Sequence, residues 1–133
     1  MKILIVEDDR IARKVITKYL VKYGKIEVAD NGLEALTAFE TARQGGEGYD
    51  LVCLDIMMPK MNGHETLAAM RQSERAANIA PDKRCTIIMT TALDDSQNIL
   101  KSFDNDCNGY ITKPYSFDKF QTELERILNS PTH

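Results

Sequence analysis

The sequence predicts an α/β fold: a single doubly wound, five-stranded parallel sheet with helices on both faces. Three observations carry that prediction. Short apolar runs alternate five times with stretches of helical periodicity, and such alternation builds a parallel sheet. Two of the runs, Ile3-Leu4-Ile5-Val6 and Leu51-Val52-Cys53-Leu54, are apolar at every position, as strands covered on both faces must be. The length of 133 residues suits one domain with one substantial core.

The first strand is predicted over Lys2 to Val6. Ile11, Val15, Tyr19 and Leu20 recur at helical spacing in the first helix, which Gly24 ends in the usual C-terminal role. Ile26 to Ala29 is the second strand. Asn31 caps the second helix, whose apolar face is Leu33, Leu36 and Phe39. Gln44 to Gly48 is a glycine-rich loop, and Leu51 to Leu54 the third strand. Pro59 to Gly63 forms a turn before a third helix that starts near His64 and carries Leu67 and Met70. Ser73 to Arg84 is polar, contains Pro81 and reads as a loop that begins with a fraying helix end. Cys85 to Thr90 is the fourth strand. Asp94 or Asp95 starts the fourth helix, with Ile99, Leu100 and Phe103 inward. Asn108 to Thr112 is the fifth strand. Ser116 caps the fifth helix, with its stripe of Phe117, Phe120, Leu124, Ile127 and Leu128. One domain over residues 1–129 and a short tail over 130–133 complete the expectation.

Hydrophobic content of 43% and charged content of 28% are those of an ordinary globular protein, and the formal net charge is -3. A nucleic-acid surface needs a clustered basic face, which is missing. No apolar stretch reaches membrane-spanning length, and the apolar run at the start is too short for a signal peptide. The expected location is the cytoplasm, with no membrane insertion. Cys53, Cys85 and Cys107 are widely spaced, with no C-x-x-C pair, and read as reduced thiols packed in or beside strands.

The chemistry sits where the apolar runs stop. The first stops on Glu7-Asp8-Asp9, the third on Asp55, the fourth on Thr91 and the fifth on Lys113-Pro114. Doubly wound sheets bind ligands beyond the carboxyl ends of their strands, at the switch point. In the flavodoxin-like order 2-1-3-4-5 that point lies between the first and third strands, which end in Glu7-Asp8 and Asp55. Carboxylates ~5 Å apart at an effective dielectric of ~20 repel by roughly 3 kcal/mol per pair. A packed site tolerates that only with a compensating cation, and hard oxygen donors without nearby His or Cys point to Mg²⁺. Lys113 and the Thr91 hydroxyl suit the oxygens of a transferring phosphoryl group. Asp55, alone at its strand end, is the candidate nucleophile. Each residue also has an ordinary role open to it: Glu7, Asp8 and Asp9 as helix-dipole acids, Asp55 as a turn residue, Thr91 as a strand end, and Lys113 and His64 as surface residues. Their joint placement at four strand ends favours one shared site.

These motifs resemble the receiver domain of two-component response regulators, chemotaxis regulators among them, over Lys2 to about Asn129. They are Glu7-Asp8, Asp55-Ile56-Met57-Met58-Pro59, Gly63, Thr91-Ala92 and Lys113-Pro114. The resemblance implies that Asp55 is the phosphoacceptor. It implies that Asp8, Asp55 and the Met57 backbone carbonyl hold Mg²⁺, with Glu7 acting through a coordinated water and Asp9 in support. Lys113 and Thr91 would contact the phosphoryl group, Tyr110 would be an aromatic switch, and the Lys113-Pro114 bond would be cis. Asn62 stands where the family often has Asp. Met57 and Leu93 occupy the two positions flanking the phosphoryl site, and neither can orient an attacking water, so hydrolysis of the phosphate is expected to be slow.

The implied function is a stand-alone phosphorylation-dependent switch. A histidine kinase or histidine phosphotransfer protein would supply the phosphoryl group. The surface of the fourth helix, fifth strand and fifth helix would then change its affinity for a downstream protein, without direct nucleic-acid binding. A phosphorylation-dependent dimer through that face is a further implied outcome. The chain is expected not to be an enzyme beyond self-phosphorylation and slow autodephosphorylation. One rival is an Asp-nucleophile phosphatase or phosphotransferase, but Met57 stands where a haloacid-dehalogenase-type enzyme needs a second Asp. A nucleotide-binding module lacks its phosphate loop, and acids after the first strand disfavour an FMN phosphate. A receiver-like binding module that works without phosphorylation would not need Asp8, Asp55, Thr91 and Lys113.

Overall fold

The computed structural model describes residues 1–58, 61–92 and 107–129. Five strands form one all-parallel sheet in the order β2-β1-β3-β4-β5. They are β1 (Lys2–Val6), β2 (Lys25–Ala29), β3 (Leu51–Asp55), β4 (Thr86–Ala92) and β5 (Gly109–Lys113). Helix α1 (Arg10–Leu20), α2 (Gly32–Gln44), α3 (Gly63–Ala76) and a C-terminal helix (Phe117–Leu128) cover it. The central strands β1 and β3 are buried almost throughout. Their alternate side chains feed two core clusters, one per face. Leu4, Val6, Val52 and Leu54 pack with Phe39, Leu67 and Met70. Ile3, Ile5, Leu51 and Cys53 pack with Ile16, Leu20, Phe120 and Leu124. The fold class and strand order expected from the sequence are those observed. The predicted fourth helix, with Ile99, Leu100 and Phe103, lies outside the described residues, as do Pro59, Leu93 and the tail.

Several local expectations change. Helix α1 buries Ile16 and Leu20, whereas Ile11 is 76% exposed, because the inward stripe runs one position later than the apolar spacing suggested. In α2 the inward residues are Ala35 and Phe39, and Leu33 stands exposed. Phe117 is half-exposed at the start of the C-terminal helix. Gly24 does not cap α1. A short 3₁₀ turn, Val21–Tyr23, intervenes, and the Gly24 backbone is extended. Glycine is needed there because a Cβ would stand 1.9 Å from the Met1 carbonyl oxygen. Ser73 to Arg84 opens with the expected helix end, as α3 continues to Ala76, and it adds a 3₁₀ turn over Pro81–Lys83. Thr91 and Ala92 extend β4 rather than follow it.

Candidate functional site

The pairing of Val6 with Leu54 brings the ends of β1 and β3 side by side, so Glu7 and Asp55 emerge together. Glu7 is 1% exposed and Asp55 5%, while Asp8 is open to solvent. Carboxylate oxygens of Glu7, Asp8 and Asp55 lie within 4.8 Å of one another. Asp9 leaves this group. Its side chain accepts from the Ile11 backbone N–H at 2.9 Å and caps α1. The run of three acids therefore divides into one buried group, one exposed group and one helix cap.

Lys113, the last residue of β5, reaches across β4. Its ammonium donates to Asp55 Oδ1 at 3.2 Å and to Glu7 Oε1 at 3.5 Å. Asp55 pairs in register with Thr90, which leaves Thr91 one step further along β4 at the same end of the sheet, 2% exposed. Met57 is 68% exposed at the mouth. Tyr110 sits three residues before Lys113 and packs partly buried against the α2–α3 cluster. The Lys113-Pro114 bond is cis.

The turn after Asp55 is shaped by close approach. A Cβ on Gly63 would stand 2.6 Å from Ile56 Cα and 2.7 Å from the Asp55 carbonyl oxygen. Only glycine lets α3 begin against the backbone that carries Asp55. Asn62 caps that helix reciprocally with Glu65: each side chain accepts from the other residue's backbone N–H. At Gly32 a Cβ would meet Thr66 Oγ1 and the Met61 carbonyl, so α2 also starts tight against this turn.

The electrostatics are unbalanced. Among the described residues three carboxylates face one ammonium. Burial, then the hydrogen bond and charge of Asp55, push the Glu7 carboxyl up to about 8. Burial works against the Lys113 charge, but Asp55 and Glu7 outweigh it and hold the ammonium above the ordinary lysine value. Burial and the same two acids push the Cys53 thiol up to about 12, which keeps it an inert core group. Tyr115 was not singled out by the sequence. Its hydroxyl is raised by burial first and then by the charges of Cys53, Glu7 and Asp55, so it lies within electrostatic reach of the site. Its position two residues after Lys113 is the signal that could have found it. Among the described residues Glu7 Oε2 is buried without a hydrogen-bond partner, a costly state that a cation would relieve. The donor set, all hard oxygen, fits Mg²⁺.

Residues 3–125 match the family of the response regulator receiver domain. This chain belongs to that family. It is 35% identical over 129 residues to the regulatory protein VanRB of Enterococcus faecalis, covering 96% of this chain and 52% of that protein. It is 31% identical over 129 residues to the transcriptional regulatory protein CusR of Escherichia coli, covering 96% and 51%. The structure of the chemotaxis response regulator CheY4 of Vibrio cholerae superposes with a TM-score of 0.75 at 25% identity, covering 95% of this chain and 97% of that one. The receiver chain thus spans about half the length of these two curated relatives. Among the described residues no helix is long and apolar enough to cross a membrane.

Proposed function

We propose that this receiver is a phosphorylation-dependent switch in which Asp55 accepts a phosphoryl group from a phosphohistidine on a histidine kinase or phosphotransfer protein. The observation that carries the reading is the Lys113 ammonium 3.2 Å from Asp55 Oδ1, inside a group of three carboxylates. An Asp55 oxygen attacks phosphorus, the phosphorus–nitrogen bond breaks, and the imidazole nitrogen takes a proton from solvent. Lys113 steadies Asp55 beforehand and meets the phosphoryl oxygens afterwards. The Thr91 hydroxyl would donate to them.

Asp8, Asp55 and the Met57 carbonyl would hold Mg²⁺ directly, and Glu7 through a water. The ion supplies charge neutralisation between the acids and the incoming phosphate. Met57, apolar at the mouth, cannot orient a hydrolytic water, which favours a long-lived phosphate. Thr91 and Tyr110 lie on adjacent strands, β4 and β5, and a group drawn toward Asp55 on one strand repacks the other. The readout is a protein surface that includes β5 and the C-terminal helix, offered to a downstream partner, a joined domain or a second copy.

Incubation with acetyl phosphate and Mg²⁺ is expected to add a single phosphoryl mass, lost in Asp55→Asn. Labelling of the Asn variant at the wild-type rate, or sustained multiple turnover of phosphomonoesters, would overturn this reading.

A further inference from the structure

At the end of the sheet opposite Asp55, α3 buries a guanidinium. Arg71 is 7% exposed. Its Nη1 donates to Glu74 Oε1 at 2.7 Å and to the Cys85 carbonyl at 2.9 Å, and its Nη2 donates to Asn108 Oδ1 at 2.9 Å. Glu74, 2% exposed, uses its other oxygen to accept from the Cys85 N–H at 2.8 Å. Asn108 is tied to β4 twice: its N–H donates to the Ile87 carbonyl and its Oδ1 accepts from the Ile87 N–H, both at 2.8 Å. The side-chain oxygen thus does the work of a ladder carbonyl just before β5 begins. Arg71, a pure donor, fixes which side of the Asn108 amide faces Ile87.

The β5 strand needs such a tie. Parallel neighbours have no tight hairpin to set their register. Register is weakly specified in strands that are polar or glycine-containing and bury little. In β5, Gly109-Tyr110-Ile111-Thr112-Lys113, only Ile111 is fully buried. A slip of one residue would exchange the faces of Tyr110 and Ile111 and carry the Lys113 ammonium away from Asp55. Cys107 joins the two features: burial raises its thiol, against the Tyr110 hydroxyl and the Arg71 charge, which lower it. A buried ion pair seldom adds stability over an apolar replacement, and fixing register is its best-attested use.

We propose that Arg71 and Asn108 are positioning residues of the switch: together they fix where β5 starts against β4 and so set the seats of Tyr110 and Lys113. The proposal deepens the phosphoacceptor reading and rests on it for its kinetic readout. The test uses the chain with fluorotyrosine at its five tyrosines, the Tyr110 resonance being assigned by Tyr110→Phe. In Arg71→Met and Asn108→Leu, the Tyr110 resonance of the unphosphorylated protein is expected to move or broaden while that of Tyr49 stays. Acetyl phosphate labelling of Asp55 is expected to slow severalfold. Asn108→Asp keeps an acceptor for both Ile87 and Arg71 and is expected to retain both wild-type signatures, whereas Arg71→Lys, lacking the fork, does not. If Arg71→Met does not fold, Asn108→Leu decides. Folded variants with an unmoved Tyr110 resonance and the wild-type labelling rate would overturn the clamp. Failure of the wild type to label at all would instead overturn the phosphoacceptor reading, with the resonances still judging the clamp.

Discussion

The two ends of the sheet both bury charge, and they treat it differently. At the amino ends, Arg71 and Glu74 make one cation and one anion, with each guanidinium arm and each carboxylate oxygen bonded. At the carboxyl ends, among the described residues, three acids meet a single lysine, and Glu7 Oε2 has no hydrogen-bond partner. Desolvated charge is tolerated when its hydrogen bonds close. The closed end is architecture, whereas the open end holds an imbalance that a divalent cation and a phosphoryl group can complete. Helix α3 connects them, with Gly63 pressed on Asp55 at one end and Arg71 at the other.

The sharpest way to break the contrast is to open the closed end. Arg71→Met leaves the Glu74 carboxylate buried without its cation. It is expected to cost about 3–5 kcal/mol in urea denaturation, with Glu74→Gln in the same chain recovering part of that loss. A cost below that of an ordinary surface substitution would show that the pair is not buried as described.

Next comes the charge imbalance itself, read through pH in chelator. The unfolded chain releases the Glu7 proton above its ordinary value of 4.5, whereas the folded chain holds it to about 8. Between those values unfolding releases a proton, so rising pH favours the unfolded state, by up to about 1.4 kcal/mol per pH unit for one group. Stability from Glu7 is thus expected to fall across that window and level off above it. Added Mg²⁺ or Glu7→Gln should flatten the fall. A metal-free profile that is already flat there would contradict the buried, uncompensated acid.

Smaller effects come from the helix that links the ends. Gly63→Ala drives a Cβ into the Ile56 and Asp55 backbone and is expected to cost about 1–3 kcal/mol, with weaker Mg²⁺ binding measured by titration calorimetry. Asn62→Ala removes the cap of α3 and is expected to cost about 1 kcal/mol in thermal melts, with little change in Mg²⁺ affinity, because the Asn62 side chain is bonded to the Glu65 backbone N–H.

Much of this was legible in the chain. The strands announced themselves because fully covered strands are apolar at every position, and Glu7, Asp8, Asp55 and Lys113 announced themselves by ending such runs. The error at Ile11 has a plain cause: an exposed apolar residue next to a true inward stripe fits helical spacing as well as a buried one does. Leu33 and Phe117 misled in the same way.

Sequence by itself determined the α/β class and put the acids, Thr91 and Lys113 at strand ends, because period-two and helical patterns are local and strand ends converge in a parallel sheet. Tertiary structure alone decided how three consecutive acids divide their work: Asp9 caps α1, Asp8 faces solvent and Glu7 is buried beside Asp55. It alone decided that Arg71 and Glu74 are core residues. An Arg and a Glu three apart on a helix look like an ordinary solvated pair. Their burial depends on where β4 and β5 begin, more than ten residues away along the chain, and local patterns do not encode contacts at that distance.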